Sequence, residues 1–120
     1  MTKKTLVIGA STNPERYSFL AINKLLDKGH PVVAIGNKTG SIRTVNIATA
    51  EVPEEGINTV TLYLNPNNQK LYYNYILSLN PRRIIFNPGA ENAELSKLAK
   101  EKGIEVMEAC TLVLLSTGQY

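Results

Sequence analysis

Short solid apolar runs alternate with longer amphipathic stretches along this chain. The runs are Leu6-Val7-Ile8, Val32-Val33-Ala34-Ile35, Val60-Thr61-Leu62-Tyr63-Leu64, Ile84-Ile85-Phe86 and Ile104-Glu105-Val106-Met107. Most are continuous rather than alternating, the pattern of parallel strands covered by helices on both faces. Thr44-Val45-Asn46-Ile47 reads as a weaker, short extra strand. Between Glu15 and Lys28, Phe19, Ile22, Leu25 and Leu26 share a helical face; Gly29 and Pro31 stop it. Similar stripes run over Asn67–Leu79 and Asn92–Lys102. Tyr72, Tyr73 and Tyr75 lie within the former, where helical spacing favours core packing over an aromatic ligand platform. The tail stays open: Thr111-Leu112-Val113-Leu114-Leu115 suits a terminal helix or an edge strand.

The order β-α-β-(short β)-β-α-β-α-β predicts an α/β fold. It is a single Rossmann-like domain over residues 1–120, with a mostly parallel sheet of five or six strands and helices on both faces. The expected strand order is 3-2-1-4-5-6, with Thr44–Ile47 at one edge and Asn58–Leu64 beside the first strand. The strand order then reverses between Gly9 and Asn65, where open α/β sheets form a ligand crevice.

Composition narrows the function classes. A chain of 120 residues, 43% hydrophobic and 19% charged, builds its own core and has the composition of a folded domain. No apolar run approaches the roughly 20 residues of a membrane span. The start through Met1-Thr2-Lys3-Lys4 is too short for a signal peptide, so a cytoplasmic location without membrane association is expected. The single cysteine, Cys110, offers no internal disulfide and no multi-cysteine metal cluster, and no metal site is expected. Net charge is +3, without a dense basic stripe. Nucleic acid is therefore not the expected partner, whereas a small anionic ligand fits.

The candidate chemistry gathers after the first strand, in Gly9-Ala10-Ser11-Thr12-Asn13-Pro14-Glu15-Arg16-Tyr17-Ser18. Gly9 permits a tight turn. The amides of Ala10, Ser11 and Thr12 would face a diphosphate near a helix N-terminus, with hydroxyls from Ser11 and Ser18. Arg16 supplies a planar fork for phosphate oxygens. The alternative is an ordinary strand-to-helix connection with a surface arginine. Asn-Pro occurs at 13–14, 65–66, 80–81 and 87–88. Asn caps helices and Pro starts them, so these pairs are also plain helix or turn starts. The dinucleotide fingerprint would want glycines at 9, 11 and 14, but Ser11 and Pro14 stand there. The acid that binds ribose hydroxyls of NAD is missing after the second strand, which ends Ile35-Gly36-Asn37-Lys38. Lys38 would suit a ribose phosphate, as in NADP or coenzyme A, or it is a solvated loop lysine.

These residues resemble a known family. Val7-Ile8-Gly9-Ala10-Ser11, followed by Asn13-Pro14-Glu15-Arg16 and Ser18, is similar to the opening motif of the small CoA-binding proteins. Their Rossmann-like domain is related to the CoA-binding domain of the succinyl-CoA synthetase alpha subunit. Gly29-His30-Pro31-Val32-Val33-Ala34-Ile35, Asn58-Thr59-Val60, Asn87-Pro88-Gly89-Ala90-Glu91-Asn92 and Glu108-Ala109-Cys110 extend the likeness over nearly the whole chain. The resemblance implies coenzyme A or an acyl-CoA as ligand, its diphosphate on Gly9, Ala10 and Ser11, with Asn13 in the motif and Arg16 and Ser18 nearby. It implies the adenosine end near Gly36, Asn37 and Lys38, and a crevice flanked by Asn65, Pro66, Asn87, Pro88 and Gly89. The chain departs from the family in having Gly36-Asn37-Lys38 for the frequent Asn-Pro-Lys, and Tyr63-Leu64-Asn65-Pro66 without the usual arginine.

The sole histidine, His30, precedes the second strand and so belongs at the opposite end of the sheet from the crevice, as a turn residue. Glu51, Glu54 and Glu55 read as solvated surface. Cys110 follows the last strand, either as an inert buried thiol or as one able to exchange with a ligand thiol. No catalytic residue is assigned. The leading expectation is a noncatalytic CoA-binding carrier, sensor or regulatory module. The alternatives are a subunit of a CoA-ligase-type enzyme, completed by a larger partner chain, and an NADP-binding reductase; a homodimer is a separate expectation for the assembly.

Overall fold

The computed structural model describes residues 2–120. Seven strands form one sheet, β1 (Thr5–Ala10), β2 (Val32–Gly36), β3 (Gly40–Ile42), β4 (Val45–Ala48), β5 (Thr59–Leu62), β6 (Arg83–Phe86) and β7 (Glu105–Glu108), in the order β3-β4-β2-β1-β5-β6-β7. All neighbours are parallel except β3 and β4. The expected order is therefore found, with a seventh strand added. β3 folds back on β4 through a turn in which Arg43 takes the left-handed conformation (φ 54°).

Alternation along the strands divides the core into two layers. Leu6, Ile8, Ile35, Val60, Leu62, Ile84 and Phe86 face α3 (Tyr73–Ser78) and α4 (Ala93–Glu101), packing with Ile76, Leu95 and Ala99. Val7, Ala34, Ile42, Val45 and Ile47 face the other way, packing with Ile22 and Leu25 of α1 (Tyr17–Asp27) and Leu115 of α5 (Thr111–Ser116). The tail is thus a helix, seated on the α1 side. The hairpin belongs to this second layer because Ile42, Val45 and Ile47 give it an apolar face to bury.

Two helices differ from expectation. The first begins at Tyr17 rather than Glu15, because residues 13–16 close a turn in which the Arg16 amide donates to the Asn13 carbonyl (3.0 Å). The stretch expected as one helix over Asn67–Leu79 divides into α2 (Pro66–Gln69), a 3-10 turn at Lys70–Tyr72, and α3. Its expected apolar stripe is broken at Leu71, which is 82% exposed. Tyr75 is buried in the core layer, where its hydroxyl donates to the Val52 carbonyl (2.6 Å); Tyr72 and Tyr73 pack against the same layer. No helix among the described residues is long and apolar enough to cross a membrane.

Candidate functional site

Between the C-terminal ends of β1, β2 and β5 the sheet opens into a cleft of about 470 Å³, within the size range of small-molecule sites. It is lined by Gly9, Ala10, Ser11, Thr12 and Asn13 from the first turn, Arg16 before α1, Asn37 and Lys38 after β2, and Tyr63 and Leu64 after β5. Two cations and no carboxylate stand in this lining.

The first turn owes its shape to backbone geometry. Register slips by one residue between Ile8 and Ala10, so Gly9 forms a bulge at φ +96°. A Cβ on Gly9 would come 3.0 Å from Tyr63 Cβ, so glycine is required both for conformation and for space. The slip turns Ala10 onto the α1 face. Gly36 is demanded by proximity alone: a Cβ there would lie 2.2 Å from the Ala10 carbonyl oxygen. Beyond Ala10 the chain turns on its own side chains. Ser11 Oγ accepts from the Asn13 amide (3.0 Å), and Asn13 Oδ1 from the Glu15 amide (3.0 Å). Among the described residues, neither the Ser11 nor the Thr12 amide donates to another protein group.

Arg16 is the N-cap residue of α1. Its carbonyl accepts from the amides of Phe19 and Leu20, but its side chain makes no cap bond. The first turn of α1 contains no acidic residue to oppose an anion at its positive end. Arg16 and Lys38 are exposed and belong to neither ion pair found among the described residues. The cleft thus offers free backbone donors, a helix N-terminus, a guanidinium and an ammonium to an anionic ligand. These parts fit the diphosphate and the sugar phosphate of coenzyme A.

Seven of the fourteen expected residues come together in the lining: Gly9, Ala10, Ser11, Asn13, Arg16, Asn37 and Lys38. Gly36 supports it from beneath. Ser18 is buried at 3% exposure inside α1 and is not part of the lining. Asn65 caps α2 through the Asn68 amide (3.0 Å), with Pro66 at the first helical position. Pro88 and Gly89 are exposed outside the cleft lining. Asn87 is buried and fully engaged: its Nδ2 donates to Thr61 Oγ1 (2.7 Å) and the Leu62 carbonyl (2.9 Å), and its Oδ1 accepts from the Thr111 amide (2.9 Å). It joins β5 to the start of α5.

The structure also brings in Thr12, Tyr63 and Leu64. Leu64 is fixed by the fully buried Gln69, whose Nε2 donates to the Leu64 carbonyl (2.8 Å) and the Ala90 carbonyl (2.7 Å). The signal for Gln69 was available in sequence as a lone amide on the apolar stripe of a helix. The Tyr63 hydroxyl is buried beside Thr111 and Thr61 without a hydrogen-bond partner among the described residues. Burial pushes its pKa up. Cys110 is half-buried at the N-cap of α5 and outside the cleft lining.

A mostly parallel α/β sheet, with a glycine bulge and a free-amide turn leading into a helix where the strand order reverses, defines a Rossmann-like domain. The comparisons give the particular family: residues 3–116 match the model described as "CoA binding domain", and the chain belongs to that family. A crystal structure of an uncharacterized protein is 48% identical, with a TM-score of 0.97, over 100% of this chain and 99% of its own. A protein from Pyrococcus horikoshii OT3 is 24% identical (TM-score 0.86, 97% of this chain and 83% of its own). One from Thermus thermophilus is 20% identical (TM-score 0.83, 99% and 91%). The last two show the fold alone. No curated protein matches the chain.

Proposed function

We propose that this chain is a noncatalytic module that binds coenzyme A or an acyl-CoA, as a carrier, sensor or regulatory partner. The carrying observation is a cleft with two unpaired cations, free turn amides and no acid in its lining. In this reading the Gly9–Asn13 turn and Arg16 hold the diphosphate, and Asn37 and Lys38 meet the adenosine end with its 3′-phosphate. Coenzyme A would supply a thiol as acyl carrier; the chain's own residues bind and orient it. The noncatalytic reading is supported by the position of His30, which precedes β2 at the opposite pole, and by a cleft lining without carboxylate, histidine or cysteine.

Titration calorimetry with coenzyme A, dephospho-CoA, NADP and NAD tests the reading. Coenzyme A is expected to bind, and removal of its 3′-phosphate to weaken binding by up to about fivefold, the range of an exposed charge contact. Lys38→Ala should remove that difference. Tight NAD binding with indifference to coenzyme A overturns the proposal.

A further inference from the structure

Beyond the approach of Gly36, at the end of β2, to Ala10, the β3–β4 hairpin makes its own approach to the proposed cradle. A Cβ on Gly40 would lie 2.7 Å from Thr12 Cγ2. Gly40 does not occupy the left-handed region, so a side chain there is opposed by the Thr12 methyl and not by backbone conformation. The three residues Asn37–Thr39 are thus strung between two close contacts, Gly36 on the Ala10 carbonyl and Gly40 on the Thr12 methyl. The far end of the hairpin is tied as well. Arg43 Nη1 donates to Asp27 Oδ1 (2.7 Å) and the Asn23 carbonyl (3.2 Å) of α1, and Ser41 Oγ donates to Asn46 Oδ1 (2.8 Å) across the strands. Ile42, Val45 and Ile47 bury the hairpin's inner face. A short loop pinned at both ends on a packed hairpin has little freedom to follow its ligand.

We infer that the Thr12–Gly40 contact is a positioning device: it fixes the height of the Asn37–Thr39 wall above the Gly9–Asn13 turn, and so sets the distance at which Lys38 meets a second anionic group of the ligand. Specificity for a ligand with two separated phosphate groups then depends on this steric contact as well as on Lys38 itself. The inference rests on the coenzyme A reading. A side chain at 40 acts through Thr12: either the hairpin lifts, or Thr12 turns its methyl away and changes what it presents to the cleft.

The test is a double-mutant cycle of Gly40→Ala, Thr12→Ser and both, read as the ratio of coenzyme A to dephospho-CoA affinity. Serine lacks the methyl that a Cβ at 40 would meet. Gly40→Ala is expected to bring the ratio toward one, and addition of Thr12→Ser to restore it toward that of Thr12→Ser alone. Loss of affinity for both ligands alike, or additive effects without rescue, would overturn the inference. Backbone amide shifts of Asn37, Lys38 and Thr39 in ligand-free protein give a readout independent of coenzyme A. They should move in Gly40→Ala and return in the double variant; unmoved shifts sink the wall, whereas wild-type protein that ignores coenzyme A sinks the ligand assignment.

Discussion

Each pole of the sheet holds a cation that belongs to neither ion pair found among the described residues, and the two poles use it in opposite ways. At the C-terminal pole, Arg16 and Lys38 stand exposed around an open cleft. At the N-terminal pole, Arg83 is 9% exposed, donates from Nε to Thr59 Oγ1 (2.8 Å), and lies 4.3 Å from the Tyr120 ring centroid. The Tyr120 ring is also packed edge-on against His30 at 5.1 Å, its hydroxyl shares a hydrogen bond with Thr5 Oγ1, and its main-chain oxygen accepts from Lys3 Nζ. The protein's own tyrosine fills the lower pole. Arg83 Nη2 is left buried with no partner among the described residues, yet a ring covers the place a ligand would need. A cation without a counter-charge marks a binding site only where the surface above it is open.

The comparison breaks most sharply at Arg83. Arg83→Ala should cost about 2–3 kcal/mol of stability, by loss of a buried hydrogen bond, a cation–π contact and packing. Coenzyme A affinity should change less than about twofold, since the poles are independent sites. Urea unfolding and calorimetry on one preparation check both. Arg16→Ala should do the reverse: a loss of about tenfold in affinity, for a charge-assisted contact to phosphate, with stability within about 0.5 kcal/mol of wild type. If either substitution moved both quantities together, the division into a binding pole and a structural pole would fail.

The smallest effect is expected from His30. Its Nδ1 accepts from the Lys3 amide (2.9 Å), which only a neutral ring can do. Burial foremost, with the charges of Lys3 and Arg83, holds its pKa below the usual 6.5. The unfolded chain therefore binds this proton first, and stability is lost as pH falls through about 6.5 toward the lower folded value. Urea midpoints between pH 7.5 and 5.5 should decline on this account. His30→Asn, which keeps an acceptor but cannot titrate, should flatten that part of the slope; an unaltered slope would show that other groups govern it.

The open pole was the more legible of the two in sequence. Gly9, Ser11, Asn13 and Arg16 sit on one continuous turn, so strand-to-helix position alone brings them together. The central strands were readable because runs such as Ile84-Ile85-Phe86 are buried on both faces. β3 was not, because Gly40-Ser41-Ile42 is three residues long and becomes a strand only through the turn at Arg43. Asn87 illustrates a different limit. Its Asn-Pro pair lies at the crevice end as expected, but its side-chain partners are Thr61 and Thr111, 26 and 24 residues away. Whether such an amide faces ligand or core depends on where the tail helix docks. The sealed pole carried no local pattern at all, since Lys3, His30, Arg83 and Tyr120 meet only after the whole sheet is assembled.

That meeting has a practical side. Lys3 and Tyr120 touch each other on the side of the molecule facing away from the cleft. A surface anchor, a fluorophore or a fused protein attached near either residue would leave the mouth of the molecule pointing into solution.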